Sequence, residues 1–198
     1  TLPSISVGDN PSDIVTFDIN GDGILELATA NRDDGTVTVI QFVNGTVNTT
    51  SSPTTVTQPF RVAATDIDHD GLEDLAIVGA TGDAKYRLSQ GATLDSDITV
   101  GTVINPTDLV AADFNGNRFQ GFAVSSDLAS GTVTVFENMN GVIQTGVVFP
   151  TGGNPQSIDA VDTNFDGLST IFTANSGTDD FSALVNASGT QVAAVTTN

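Results

Sequence analysis

Short runs in which apolar and polar residues alternate recur along the whole chain. The clearest examples are residues 36–42 and 132–137, which are rich in β-branched side chains. A period of two is typical of β-strands that bury one face. No stretch has the spacing of apolar residues that an amphipathic helix requires. The pattern therefore predicts an all-β protein made of short antiparallel strands.

The runs are organised in four repeats. Each repeat starts with a proline, continues through an apolar run and reaches an aspartate seven residues after the proline. The aspartates are Asp18, Asp66, Asp113 and Asp162, at spacings of 48, 47 and 49 residues. Further strand-like runs follow each aspartate loop, so that about four short strands fit into one repeat. Four-stranded repeats of this length are typical of β-propeller blades.

The sequence therefore predicts a single domain over residues 1–198, folded as a four-bladed β-propeller of about 48-residue, four-stranded repeats. We expect the repeat cores near residues 11–57, 59–104, 106–150 and 155–198. Four blades are at the low end of what a propeller can close. Two arrangements are thus open, a closed ring and an open arc.

Five runs have the character of outer strands, at residues 3–7, 53–58, 98–104, 142–149 and 191–196. Because there are four aspartate loops, one of these runs is surplus. A surplus run can lie on the ring or pair with the exposed sheet edge of a neighbouring molecule. The polar segment 46–57 fits either a mobile surface loop or a polar outer strand.

The composition adds a strong negative charge. The chain has 24 acidic and 5 basic residues, and its formal net charge is -19. Such a charge repels nucleic-acid backbones and anionic lipid surfaces. Of the acidic residues 21 are Asp and 3 are Glu, which favours turns and metal ligation over helices. Because the chain has no Cys, disulfides and thiolate chemistry are excluded.

The aspartate loops carry the candidate chemistry. Counting the first aspartate as position 1, side-chain oxygens stand at positions 3, 5 and 9 as well, and position 7 offers a main-chain carbonyl. In the first loop this set is Asp18, Asn20, Asp22, Ile24 and Glu26. In the second loop it is Asp66, Asp68, Asp70, Leu72 and Asp74. Ca²⁺ takes about six to eight such hard oxygens, so both loops predict a calcium site.

The expected site differs from an EF-hand. An EF-hand needs a bidentate Glu at position 12, where Thr29 and Ile77 stand. The flanking segments are also strands rather than helices. Position 6 is Gly23 in the first loop and Gly71 in the second, and glycine permits the left-handed conformation that the turn needs. We therefore expect a nine-residue calcium loop between two strands.

The number of carboxylates ranks the four loops, because each lost carboxylate weakens the attraction for a dication. The second loop has four and the first has three. The fourth has only Asp162 and Asp166, with Asn164 at position 3, and is expected to bind weakly. The third keeps Asp113 alone and has Arg118 at position 6, so we expect no Ca²⁺ there and the guanidinium as a stand-in cation. The competing interpretation is that these loops are metal-free Asx turns.

Catalytic arrangements are not apparent in the sequence. His69 is the only histidine and stands at a non-ligating loop position, so no Ser/His/Asp triad is expected. The motifs of nucleophile elbows, phosphate-binding loops and zinc proteases do not occur. We therefore predict a protein that is not an enzyme. Four phenylalanines at equivalent places are expected in the core, namely Phe17, Phe114, Phe122 and Phe172.

The loop pattern Asp-x-[Asp/Asn]-x-Asp-Gly-x-x-[Asp/Glu]-Leu resembles the FG-GAP/VCBS repeat family, which includes integrin α-chain propellers and many secreted bacterial proteins. The resemblance is strong in the first two repeats and weaker in the other two. It implies a propeller whose calcium loops join the first two strands of each blade. In the fourth repeat it extends to Asp162, Asn164, Asp166 and Leu168. Propellers of the family commonly have seven blades, whereas this chain has four motifs.

These observations predict a secreted, extracellular or cell-surface protein with a structural or adhesive role. The expected cofactor is Ca²⁺, with two sites and a third, weaker one. The expected partners are further copies of the chain, as an oligomer or filament, or other surface proteins and glycans, without nucleic acid and without membrane insertion. The alternative function is a calcium-dependent, glycan-binding lectin, although the chain has no Trp to stack on a sugar.

Overall fold

The computed structural model describes residues 4–44, 46–54, 56–187 and 190–197. Within them the chain forms sixteen β-strands in four antiparallel sheets and contains no helix. Each sheet is a meander of four consecutive strands, so the order in space follows the order in the chain. The all-β fold and its four-stranded repeats are thereby confirmed. None of the described residues belongs to a helix with the length and apolar character to cross a bilayer.

The four sheets are numbered here in chain order. Sheet 1 consists of β1 (Pro11–Phe17), β2 (Glu26–Asn31), β3 (Thr36–Val43) and β4 (Thr46–Pro53). Sheet 2 consists of β5 (Pro59–Thr65), β6 (Asp74–Gly79), β7 (Asp83–Arg87) and β8 (Ile98–Thr102). Sheet 3 consists of β9 (Pro106–Ala112), β10 (Gly121–Ser126), β11 (Thr132–Phe136) and β12 (Val147–Pro150). Sheet 4 consists of β13 (Pro155–Val161), β14 (Thr170–Asn175), β15 (Asp180–Ala187) and β16 (Thr190–Thr197).

The outer strand of sheet 1 lies earlier in the chain than expected. It is β4, formed by the Thr/Ser tract, and the expectation at residues 53–58 is wrong. The tract takes this place because it pairs with β3 along its whole length. Of the two interpretations of residues 46–57, the polar outer strand is therefore correct for Thr46–Pro53, and the strand ends there. The other sheets take their outer strands from the expected runs, although β12 begins only at Val147.

The first expected outer strand, at residues 3–7, is also wrong. Residues 4–7 form no strand, and Pro3 lies outside the described residues. Instead of extending a sheet edge, Ile5 and Val7 line a groove on the face of sheet 1. The count of four outer strands therefore equals the count of aspartate loops.

The hydrophobic core is divided into three clusters, one at each junction between successive sheets. Phe17 packs with Leu75 between sheets 1 and 2, and Phe122 is central between sheets 2 and 3. Phe114 packs with Leu184 between sheets 3 and 4. The second strands of sheets 2 and 3, β6 and β10, are buried at every residue. The two inner sheets are thus covered on both faces, whereas sheets 1 and 4 are each covered on one.

Three of the four expected core phenylalanines are fully buried, namely Phe17, Phe114 and Phe122. The expectation for Phe172 is wrong, since this residue is only partly buried. Its neighbour Ile171 belongs to the cluster between sheets 3 and 4. Because side chains alternate along a strand, Phe172 lies on the opposite face of sheet 4, away from sheet 3.

Successive sheets contact each other through their first strands, in the order β1, β5, β9 and β13. Polar contacts at these junctions repeat. The carboxylate of Asp13 accepts a hydrogen bond from the N–H of Val62 at 3.0 Å, and Asp108 accepts one from Ile158 at 3.2 Å. No comparable contact joins β13 back to β1 within the described part of the chain. The four sheets therefore form an open series.

Gly82 precedes β7 at a place with no room for a side chain. Its φ is +105°, and an added Cβ would lie 2.1 Å from the main-chain oxygen of Val103. Gly91 has φ +80° but no atom within 4 Å of an added Cβ. We expect Gly82→Ala to lower the free energy of unfolding by roughly 2–4 kcal/mol and Gly91→Ala by about 1 kcal/mol, measured by urea unfolding. Equal losses would contradict the close approach to Val103.

Candidate metal centre

All four aspartate loops share one main-chain conformation. The carboxylate at position 1 accepts a hydrogen bond from the N–H at position 6 in every loop, at 2.7–3.1 Å. Positions 4 and 6 are both left-handed, with φ between +61° and +91°. The left-handed turn expected at position 6 is confirmed. The one at position 4 is not evident from the sequence, because this position is glycine in only two loops; its residues are Gly21, His69, Gly116 and Phe165.

The second loop brings three carboxylates together. One oxygen each of Asp66, Asp68 and Asp74 lies within 4.8 Å of the other two. Asp66 directly follows β5 and Asp74 begins β6, so the pairing of these strands fixes both ends of the loop. Oδ1 of Asp66 is buried and has no hydrogen-bond partner among the described residues. A buried oxygen without a partner carries a desolvation cost that a bound cation would offset.

Asp74 is the most deeply buried member of this cluster, at 1 % exposure. Its two carboxylate oxygens accept hydrogen bonds from the N–H groups of Ile67 and Ser89, both at 2.7 Å. Burial raises the pKa of Asp74 to about 6; the two hydrogen bonds oppose this rise, and the charges of Asp68 and Asp66 add to it. Burial likewise raises the pKa of Asp68. The carboxylates are thus held together against desolvation and mutual repulsion.

Asp70 lies outside the cluster of three. It is exposed, and its Oδ1 accepts the N–H of Leu72 at 2.8 Å. Of the predicted ligands in the second loop, the structure therefore gathers positions 1, 3 and 9, whereas Asp70 and the carbonyl of Leu72 remain predictions. Carboxylate oxygens without histidine or cysteine are the ligands of a hard cation. The cluster fits Ca²⁺ in its chemistry.

The first loop has the same turn but a looser set of carboxylates. Asp18 accepts two main-chain hydrogen bonds, at 2.7 and 2.9 Å, and Asn20 accepts the N–H of Asp22 at 2.9 Å. Glu26 is buried and contacts the N–H of Ile19 at 3.3 Å. Burial raises the pKa of Glu26, and the charges of Asp22 and Asp18 add to this rise. The three carboxylates of this loop do not meet the mutual distance found for the trio in the second loop.

The carboxylates of the fourth loop are engaged by the loop's own donors. The amide of Asn164 donates to Asp166 at 2.8 Å. Main-chain hydrogen bonds, with that of Gly167 the strongest, lower the pKa of Asp162. Position 9 is Thr170, which is buried and has no charge. The fourth loop thus holds fewer free oxygens than the second, and the role of Leu168 stays a prediction.

The third loop is closed by a residue outside it. The side-chain amides of Asn115 and Asn117 both donate to the main-chain oxygen of Asn138, at 3.1 and 2.8 Å. Asn138 is buried, and its own amide donates to the carbonyls of Gln120 and Ile67. Two neutral donors on one carbonyl thus hold the turn in this loop. No local pattern in the sequence indicates this role of Asn138, which lies beyond β11.

Arg118 contributes to the third loop through its main chain. Its N–H donates to Asp113 at 2.7 Å, and the residue is left-handed with φ +73° although it is not glycine. Within the described ranges, its guanidinium forms no ion pair; Arg61 and Arg87 form the two that are found. The expectation that this guanidinium stands in for a cation is therefore wrong, and the amides of Asn115 and Asn117 hold the loop instead by donating to the main-chain oxygen of Asn138.

Neighbouring loops are joined through position 8. The N–H of Glu73 donates to the carbonyl of Asp18 at 3.0 Å, and its carboxylate accepts the N–H of Asp18 at 2.6 Å. Ser169 repeats the main-chain bond to Asp113 at 3.0 Å. The ring of His69 stacks on Phe119 of the third loop. The sequence alone does not indicate the role of Glu73, because its partner lies 55 residues away in the chain.

Solved structures share the fold. BBS1N, in crystals of its complex with ARL6DN soaked with lead, has a TM-score of 0.64 and 13% identity over 96% of this chain. In a second crystal of that complex, soaked with mercury, BBS1N has a TM-score of 0.63 and 12% identity over 94% of this chain. The chain spans 57% and 53% of those two chains, a little over half their length. At such identities the likeness concerns the fold alone.

The V. cholerae biofilm matrix protein Bap1 has a TM-score of 0.45 and 18% identity, over 93% of this chain and 30% of its own. A comparison with curated protein sequences finds no match. The family model described as an FG-GAP-like repeat matches residues 18–77, which contain the first two aspartate loops. This match confirms, for residues 18–77, the resemblance that the loop pattern predicts.

Proposed function

We propose that the protein is a non-catalytic, extracellular calcium-binding module with a structural or adhesive role. The observation that carries the proposal is the second loop, where three carboxylates meet within 4.8 Å and a buried oxygen of Asp66 has no hydrogen-bond partner among the described residues. The match of residues 18–77 to an FG-GAP-like repeat supports it.

The proposed architecture is an open arc of four β-propeller blades. Four consecutive meanders, each packed face to face on the next, are the arrangement of propeller blades. The likeness of the fold to BBS1N supports this reading. In such an arc the aspartate loops join the first two strands of every blade, so that all four lie at the same end of their blades.

In the second loop Asp66, Asp68 and Asp74 would hold the calcium ion, together with Asp70 and the carbonyl of Leu72. A bound dication supplies charge neutralisation for carboxylates that otherwise repel one another. The first loop would hold a second ion through Asp18, Asn20, Asp22, Ile24 and Glu26. The fourth would hold a weaker one through Asp162, Asn164, Asp166 and Leu168.

The chemistry of these loops favours an extracellular location. A chain with a net charge of -19 destabilises its own folded state by self-repulsion. Extracellular calcium modules work with dissociation constants of about 10⁻⁴–10⁻³ M, whereas cytosolic calcium is far too dilute for such sites. The one histidine, His69, is stacked on Phe119 and hydrogen-bonds the carbonyl of Arg118 rather than a hydroxyl nucleophile, which agrees with a role other than catalysis.

Calcium should stabilise the folded chain. With calcium in hundredfold excess over the dissociation constant, binding contributes about 2.7 kcal/mol, which corresponds to a rise in Tm of about 5–10 °C for a chain of this size. Thermal unfolding followed by circular dichroism, with millimolar calcium and with EDTA, measures this difference. A Tm that is the same in both solutions would remove the metal proposal and leave Asx turns.

The loops should contribute unequally to this stabilisation. Asp70→Ala should reduce the calcium-dependent rise in Tm more than Asp166→Ala, because the second loop has more carboxylates to hold the ion. Asn117→Ala is the matched control in the third loop and should leave the rise unchanged, although it removes the hydrogen bond to Asn138. Isothermal titration of each variant with calcium gives the same ranking independently. Equal effects of all three substitutions would contradict it.

The raised pKa of Asp74 predicts a pH dependence of the metal-free protein. Its pKa is about 6 in the folded chain against 3.8 unfolded. The contribution of Asp74 to the free energy of unfolding is therefore fully present below pH 3.8 and is lost as the pH rises through about 6. Without calcium we expect a loss of roughly 2 kcal/mol across this interval. With calcium the trend should reverse, because the ion binds the deprotonated carboxylate.

Urea unfolding between pH 5 and 7 in EDTA measures the upper part of this loss, roughly 1 kcal/mol, in a range where ordinary carboxylates are already ionised. Asp74→Asn should flatten the profile, whereas Asp159→Asn, at an exposed carboxylate of sheet 4, should not. An unchanged slope in Asp74→Asn would show that another group titrates.

A further inference from the structure

The ends of the series of sheets carry side chains that are buried at every internal junction. The third residue after the repeat proline packs against the preceding sheet, and there Val62, Leu109 and Ile158 are only 6–9 % exposed. Ile14 holds the same place in sheet 1, the first of the four described sheets, and is 58 % exposed. The outer face of sheet 1 thus has the composition of a sheet junction.

The loops show the same relation. Position 4 of one loop contacts position 7 of the next: an added Cβ at Gly21 would lie 3.1 Å from Leu72, and His69 stacks on Phe119. The contact recurs between the third and fourth loops, where Gly116 lies against Leu168. Each loop therefore covers an apolar residue of the loop that follows it.

At the two ends this contact is incomplete. Phe165 holds position 4 in the fourth loop and is 93 % exposed. Ile24 holds position 7 in the first loop and is 52 % exposed. Phe165 is thus a position-4 residue without a following loop to contact, and Ile24 is a position-7 residue without a preceding loop to contact, among the described residues. The two ends therefore present the two kinds of residue, one at position 4 and one at position 7, that contact each other between internal loops.

Two end surfaces can be defined from these residues. The head surface consists of Ile5, Ile14 and Leu27 at the outer face of sheet 1, together with Ile24 of the first loop; Ile40 also lines this face but is only 3 % exposed. Most of these residues line an open groove of about 570 Å³. The tail surface is the outer face of sheet 4 and contains Val161, Phe165, Phe172, Phe181 and Val185. Both surfaces are mainly apolar.

The shapes of the two surfaces also correspond. The third residue of the second strand faces the following sheet, and it is Ala28, Ala76 and Ala123 in sheets 1 to 3, all fully buried. In sheet 4 this place is taken by Phe172, which adds bulk to the tail surface. The groove of the head surface offers the volume that such a side chain needs, whereas a closely packed internal junction does not.

We propose that the head surface binds the tail surface of a second copy of this chain. Ile14 and Leu27 then cover Phe172, and Ile24 covers Phe165, as the internal junctions do. The contact joins two different surfaces, so it leaves a free head and a free tail after each addition and produces rings or filaments rather than two-fold dimers. It requires ordered loops but no particular metal affinity, and it therefore stands apart from the proposed calcium function.

The charge of the chain gives this association a distinctive salt dependence. Two copies with a net charge of -19 each repel one another, and salt screens this repulsion while the apolar contact persists. Association through the two end surfaces should therefore strengthen with sodium chloride. A contact built on ion pairs would weaken instead.

Sedimentation velocity of the 198-residue chain in calcium, from micromolar to submillimolar concentrations, tests the proposal. We expect concentration-dependent association, weakened at least tenfold by Ile14→Asp in the head surface and by Phe165→Asn in the tail surface. Both side chains are exposed, so both variants should fold and keep their calcium-dependent rise in Tm. Ile104→Asp, at a residue 69 % exposed on neither surface, is the control and should associate like the original chain.

Mixing the two variants separates this geometry from all others. Ile14→Asp keeps an intact tail and Phe165→Asn an intact head, so the mixture should form a dimer and nothing larger. A chain that is monomeric throughout the concentration range overturns the proposal. So does association that both variants retain, or a mixture that stays monomeric although the original chain associates.

Discussion

The fold depends on a carboxylate that turns the chain back on itself between the first two strands of every sheet. In all four loops the residue at position 1 accepts the N–H of position 6, across two left-handed residues. This interaction fixes where the second strand begins, and the second strand carries the residues that bury each sheet against its neighbour. Its consequence is an accumulation of negative charge where Asp66, Asp68 and Asp74 converge.

Much of this could be predicted from the sequence, because the informative signals are local. Strand alternation, the proline-to-aspartate distance and the glycines at position 6 are short-range patterns that specify a repeated meander. The outer strand of sheet 1 could not be predicted well, since a Thr/Ser tract becomes a strand only through its partner β3. Phe172 differs from its expectation for a similar reason: its residue type suits a core, but none of the described sheets covers its side of sheet 4.

The residues of the candidate site differ in the same way in how far local sequence predicts them. Spacing alone indicated Asp66, Asp68 and Asp74, because side chains within nine consecutive residues lie in one loop. Glu73 and Asn138 could not be found in this way, since each acts on a loop other than its own. Asn138 also shows how a repeat tolerates the loss of its carboxylates. The neutral amides of Asn115 and Asn117 donate to the main-chain carbonyl of Asn138 and so hold the same turn. This arrangement requires a residue from the neighbouring hairpin.

The paired hydrogen bonds between Glu73 and Asp18 tie the main chain of one loop to that of the next. A loop that becomes ordered therefore leaves its neighbour with less conformational entropy to lose. The two loops of residues 18–77 are consequently coupled through their main chains, and under the proposed function a cation bound in either loop would change the affinity of the other by the same factor.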